Sequence, residues 1–158
     1  MSKQNRTALS CSLLLLLGFL TCSASDTLYF VGNIKVSKKS SFKYILRFLI
    51  DNENKITGYS LTDPQGPYET KTKIAGTYDS QKKVIHYEEG KILRSSIDTQ
   101  TTALCSVKAS LKFRKTKWTE TLTGPFTGSD SGGKTICARG EIKLLNTNRI
   151  KVIQSQMK

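Results

Sequence analysis

One histidine, four cysteines and a single tryptophan are the scarce side chains of this 158-residue chain. Their positions limit the chemistry open to it. His86 stands alone, which excludes metal centres built from several imidazoles and leaves acid–base work to His86 itself or to a carboxylate. It lies in Val84-Ile85-His86-Tyr87, a strand-like run in which it shares a face with Val84 and Glu88. That setting is the ordinary one of a half-exposed strand histidine. Glu88 and Glu89 are adjacent, so on a strand they point to opposite faces and cannot form a paired-carboxylate site. Asp130 is the only acid in its loop, too few carboxylates for tight calcium binding. No glycine-rich phosphate loop leads into a helix, which removes support for nucleotide use. No cofactor is expected.

Ser129-Asp130-Ser131-Gly132-Gly133 ends as the nucleophile motif of trypsin-like proteases does. A protease of that kind needs a histidine held by a buried aspartate and paired with the serine. His86 lacks that setting, and the chain is too short for the double barrel. The segment is expected to be a flexible turn of Gly, Ser and Asp, with no catalytic residue. Cys11 and Cys22 lie near the start, leaving Cys105 and Cys137 in the body of the chain. In an oxidising compartment these two are expected to form one disulfide.

Two groups of residues carry binding potential instead. Phe113-Arg114-Lys115-Thr116-Lys117-Trp118 puts three cations at a hairpin tip beside the tryptophan. Its order of apolar and basic residues resembles short sulfated-polysaccharide-binding patterns. Arg114, Lys115 and Lys117 can meet sulfates or lipid phosphates, while Trp118 covers a sugar ring or enters a headgroup layer. Lys71, Lys73, Lys82 and Lys83 extend this surface if their strands lie nearby; otherwise the lysines shield strand edges and turns. Tyr44, Tyr59 and Tyr78 fall at inward-pointing or strand-middle positions. They are expected either to pack the core or to line a small cavity for an apolar ligand.

The elements that position these groups are strands. Ala103, Cys105, Val107, Ala109, Leu111 and Phe113 alternate with Ser106, Lys108, Ser110, Lys112 and Arg114. A period of two over that length is a strand with one buried and one wet face. Thr72-Ile74-Gly76-Tyr78, Phe42-Tyr44-Leu46-Phe48-Ile50 and Ile136-Ala138-Gly140-Ile142-Leu144 repeat the pattern. Ile45 and Leu49 add a second apolar face to one of them, as if it were covered on both sides. Turn chemistry at 51–54, 63–67, 79–82, 89–91, 114–116 and 146–148 separates the runs. About nine or ten strands at this spacing predict an all-β antiparallel meander, closed or nearly closed into a barrel, with a β-sandwich as the alternative. A weak echo, Gly58 and Gly76 against Gly124 and Gly140, suits either a duplicated hairpin or bends that require glycine.

Residues 1–25 have the plan of a secretory signal peptide: Lys3 and Arg6, an apolar run from Leu9 to Leu20, then Ser23-Ala24-Ser25. The run is shorter than the roughly 20 residues a membrane-spanning helix needs. Residues 26–158 then form one domain. The segment takes two of the 25 basic residues and none of the 12 acidic ones, so the remainder carries 23 against 12, a formal charge of +11. An exported basic domain is directed at anionic glycans, lipid headgroups or acidic proteins rather than nucleic acid. Cys22 also follows an apolar run, but Thr21 before it fits a lipoprotein cleavage box poorly, so release is favoured over anchoring.

Gly58-Tyr59-Ser60-Leu61-Thr62-Asp63, with Glu69-Thr70-Lys71 and Gly76-Thr77-Tyr78-Asp79, resembles exported β-proteins of Bacteroidota-type bacteria that have no assigned activity. That resemblance implies a secreted, periplasmic or envelope setting and no chemistry. By strand count the architecture is similar to the calycin barrels of lipocalins and avidins. Tyr29-Phe30-Val31-Gly32 stands where lipocalins carry Gly-x-Trp. The resulting expectation is an exported, non-enzymatic binding protein. Its basic surface takes an anionic glycan or lipid, or its interior takes a small apolar ligand; a small secreted enzyme is the third alternative.

Overall fold

A computed structural model describes residues 27–37, 40–98, 104–130 and 133–147. The expected signal peptide and Cys22 lie outside these described residues. The alternating runs form eight strands: β1 (Leu28–Lys35), β2 (Ser41–Ile50), β3 (Lys55–Thr62), β4 (Thr70–Asp79), β5 (Val84–Ser95), β6 (Ser106–Lys115), β7 (Glu120–Ser129) and β8 (Ile136–Asn146). Each pairs antiparallel with its predecessor, and β8 returns to β1 from Phe30↔Asn146 to Lys35↔Glu141. The meander is therefore a closed barrel. Every strand has two neighbours and no edge remains, which sets the sandwich alternative aside.

The barrel closes because one face of each strand is apolar at every second residue. Tyr44, Leu46 and Phe48 on β2, Ile85 and Tyr87 on β5, Val107, Ala109 and Leu111 on β6, and Ile142 and Leu144 on β8 all point inward and are buried. Phe30 stacks on Phe48 with ring centroids 5.9 Å apart and meets Phe113 edge-on at 6.2 Å. These rings fill the end of the barrel that carries the β2–β3, β4–β5 and β6–β7 turns. The glycine echo falls on strands four apart, β3 with β7 and β4 with β8, which face each other across the barrel. A Cβ at Gly58 would overlap the Arg47 carbonyl oxygen, and one at Gly124 the Ser110 carbonyl oxygen. Both are inward positions where adjacent backbones approach too closely for a side chain.

Four readings of the sequence are corrected. Eight strands occur among the described residues, fewer than nine or ten, because Glu89-Gly90-Lys91 is no turn: β5 runs through it. The β4–β5 register passes from Ile74↔Glu89 to Thr72↔Ile92, and then to Lys71↔Arg94, so β5 takes one extra residue in each of two bulges. A strand glycine marks a bulge as readily as a turn. Arg114 and Lys115 end β6, and the turn itself lies at 116–119. Asn146 ends β8 rather than opening a turn between strands, and residues from 148 on lie outside the described ones. Ile45 and Leu49 are half-buried on the outside, where Ile45 joins a cross-strand row with Val31, Leu61 and Leu145. No second layer covers them among the described residues.

Cys105 and Cys137 form the expected disulfide, with Cα atoms 6.2 Å apart. The bridge ties the starts of β6 and β8 across β7. Cys137 is the extra residue where the β7–β8 register shifts between Gly128↔Ala138 and Ser129↔Ile136. Gly128 leaves room for it, since a Cβ there would stand 3.3 Å from Cys105 Cβ and 3.2 Å from Ala138 Cβ. No described helix is long and apolar enough to cross a membrane.

Candidate functional site

Opposite the packed aromatic end the barrel is open. A cavity of about 600 Å³ occupies this end. Every strand contributes to its wall, among them Ile34 on β1, Phe42 on β2, Thr62 on β3, Thr72 on β4, Val107 on β6, Phe126 on β7 and Ala138 on β8. Ile92 lines it from the bulged part of β5. The rim is braced by the β3–β4 loop. Tyr68, exposed, stands edge-on to Phe42 at 6.1 Å; Glu69 pairs with Arg94, and Ser96 Oγ donates to the Pro67 carbonyl at 2.9 Å.

The residue that gives this cavity a polar address is Glu89, which is 6% exposed. Its side chain follows Ile85 and Tyr87 on the inward face of β5. Ladder pairing between β5 and β6 stops at Glu88↔Lys108, and beyond it the bulges carry β5 away from its neighbour. Glu89 fills the gap. Its Oε2 accepts the Val107 N–H at 3.0 Å, a bond the β5 backbone would otherwise make, and the Ser106 hydroxyl donates to the Glu89 carbonyl. Oε1 accepts Ser60 Oγ–H at 2.5 Å and the Tyr44 hydroxyl at 2.7 Å. The Tyr87 hydroxyl lies 3.0 Å from that of Tyr44; with Tyr44 donating to Glu89, Tyr87 donates to Tyr44, and the two phenols form a relay ending on the carboxylate.

All of these partners are neutral. No lysine or arginine of the described residues forms an ion pair with Glu89, and none lines the cavity. Lys108, the ladder partner of Glu88, pairs with that residue at 3.4 Å, and Lys73 and Lys91 beside Glu89 are exposed and make no ion pair with it. Burial pushes the Glu89 carboxyl above the ordinary glutamate range, while the bonds from Ser60, Tyr44 and Val107 pull the other way without cancelling it. The Tyr44 and Tyr87 phenols are also pushed up, first by burial and then by the nearby Glu89 charge.

The residues singled out from sequence do not converge. Tyr44 is fully buried and holds the carboxylate at the cavity without lining the space itself. Tyr59 does not face the interior. It shares parity with Thr57 and Leu61 on the outer surface, where Lys71 Nζ lies 4.0 Å from its ring centroid and Arg47 Cζ 5.9 Å. Tyr78 points inward, but at the packed end, against the core and away from the cavity. Arg114, Lys115, Lys117 and Trp118 gather at that same packed end. Lys115 is occupied there, 3.0 Å from the buried Glu120. Lys117 Nζ lies 4.8 Å from the Trp118 ring centroid, and Trp118 is 58% exposed. Lys83 adjoins this tip, its carbonyl accepting the Phe113 N–H at 2.8 Å. Lys71 and Lys73 sit on β4, two strands from β6, and Lys82 pairs with Asp79 at 3.4 Å.

His86 lies on the outer face, its Nδ1 2.8 Å from Ser110 Oγ. Ser131 and Gly132 of the protease-like run lie outside the described residues. No group of three potential metal ligands occurs among the described residues. Glu89 is the functional candidate that sequence reasoning passed over. Its signal was present in the inward parity of Ile85 and Tyr87, which continues to position 89 unless Gly90 is read as a turn. No protein-family model matches the chain, and no curated protein or solved structure resembles it significantly.

Proposed function

We propose that this is a non-enzymatic binding protein that holds a small ligand by its apolar part in the open end of the barrel. One observation carries the reading: a cavity of about 600 Å³ bounded by all eight strands, mostly apolar, with a single buried carboxylate in its wall. Small-molecule sites fall in the range of about 300–1,000 Å³ and combine apolar walls with few polar groups. A Cys105–Cys137 disulfide agrees with an exported setting, since such bridges persist in oxidising compartments.

Titration with a neutral fluorescent probe such as N-phenyl-1-naphthylamine tests the reading. Saturable one-to-one binding is expected, and Ala138→Trp, which fills the cavity, should weaken it at least tenfold. Absence of saturable binding, or binding indifferent to Ala138→Trp, would refute it.

A second reading rests on the opposite end, where exposed Trp118 stands against Lys117, Arg114 lies at the end of β6, and the Lys83 carbonyl accepts the Phe113 N–H. This surface suits an anionic glycan or lipid headgroup, with Lys115 contributing less because it is paired with Glu120. Reversing Arg114 and Lys117 to glutamate should abolish salt-sensitive retention on heparin or on vesicles containing phosphatidylglycerol. Unchanged retention removes this reading and leaves the cavity untouched.

A further inference from the structure

We infer that the cavity's ligand carries a cationic amino group on an apolar body, and that Glu89 receives that group. The inference rests on the cavity reading and adds the chemical class of the ligand. Ser60, Tyr44 and Val107 all donate to the Glu89 carboxylate, and Tyr87 donates onward through Tyr44. An array made wholly of donors is arranged for a carboxylate, which only accepts. Two donors reach Oε1 and one reaches Oε2, so one acceptor direction remains of the roughly four a carboxylate offers. What the site lacks is charge. No cation among the described residues pairs with Glu89, and a buried charge is normally paired.

An ammonium supplies what is missing: a formal positive charge and an N–H donor for the remaining lone pair. A hydroxyl or amide ligand would supply only the donor. An anionic ligand would meet Glu89 with no basic side chain in the described wall to receive it. A metal ion would find one carboxylate and no second protein ligand cluster. The apolar part of an amine lies against Ile34, Phe42, Val107 and Phe126, which flank the carboxylate around the wall. The groups that bond Glu89 or pair with it across the ladder are Tyr44 on β2, Ser60 on β3, Ile74 on β4 and Val107 on β6, with Tyr87 on β5 bonded to Tyr44. None of them is basic. The chain's large positive charge is carried on the exterior, so preference for a cation is a property of the interior alone.

The test is a matched series of octylammonium, 1-octanol and octanoate at neutral pH. Each competes with N-phenyl-1-naphthylamine for the full-length mature protein. Octylammonium is expected to bind at least tenfold more tightly than octanol, with octanoate weakest. In Glu89→Gln, the advantage of octylammonium over octanol should disappear, both being read against the same probe in the same variant. Equal binding of the three, a preference for octanoate, or a Glu89→Gln variant that keeps the amine preference would overturn the ammonium assignment and leave the cavity standing. Failure of the probe itself to bind would overturn both. If Glu89→Gln does not fold, the wild-type ranking decides alone.

Discussion

Two inward-facing glutamates stand at opposite ends of the barrel and are treated differently by it. Glu120, at the packed end, accepts a hydrogen bond from Asn146 Nδ2 at 2.8 Å and an ion pair from Lys115 at 3.0 Å. Glu89, at the open end, is held by three neutral donors and no cation of the described residues. The packed end gives its carboxylate an amide and a lysine; the open end gives its own two hydroxyls, a backbone N–H and a cavity. A buried carboxylate with a charge partner is part of the architecture. One without, placed at a cavity, is available to something from outside.

The largest effects should separate the two ends by packing. Phe30→Ala at the packed end should lose about 3–5 kcal/mol of unfolding free energy, the range for a large aromatic removed from a core. Phe42→Ala, half-buried beside the cavity, should lose less than about 1.5 kcal/mol because its loss enlarges a space already open. Denaturant titration of both variants checks the contrast, and equal losses would mean that the open end is packed after all. The open end instead depends on its disulfide. Replacing Cys105 and Cys137 together by serine should remove about 3–4 kcal/mol for a closed loop of this length in the chain-entropy model, read as a fall in melting temperature that reductant reproduces in the wild type.

Smaller effects sharpen the comparison of the glutamates themselves. Glu120→Gln keeps an acceptor for Asn146 but loses the partner of Lys115, at a cost of about 1 kcal/mol because Lys115 is largely exposed. Glu89→Gln is informative through pH. Because the folded-state acidity of Glu89 is pushed up by burial, the native protein holds this proton after the unfolded chain has released it. Wild-type stability relative to Glu89→Gln should therefore fall as pH rises from the ordinary glutamate value toward the raised folded one. Below that window the difference should be constant. A difference that grows more favourable to the wild type with pH would mean that Glu89 has a cation after all. Last, Trp118→Ala should change stability by less than about 0.5 kcal/mol, as expected at an exposed site, and should leave amine binding at the far end unaltered.

Much of the barrel is legible along the chain because strand burial has a period of two and closure needs only that pattern repeated. The stripe Phe42-Tyr44-Leu46-Phe48-Ile50 and the run from Val107 to Phe113 carry it plainly. Glycines 58, 76, 124 and 140 mark close approaches of neighbouring backbones. Two cysteines in the body of a chain expected to be exported are enough to suggest one bridge. The site is less legible. Gly90 reads as a turn where β5 bulges and so hides Glu89; Tyr59 has no stripe of its own to fix its face, and the inward parity of Tyr78 does not say which end of the barrel it occupies.

By itself, then, the sequence determined an all-β antiparallel meander with one apolar face per strand, a basic composition and one expected disulfide, since these follow from local alternation and composition. It left barrel and sandwich both open, a choice that the pairing of β8 with β1 decides. Only the tertiary structure decided which end is filled, which tyrosine reaches the interior carboxylate, and which lysine is spent on Glu120. Those outcomes depend on register and bulges, which bring Ser60, Tyr44 and Val107 to Glu89 from strands far apart in the chain. A one-residue shift in that register would turn each of them to the opposite face.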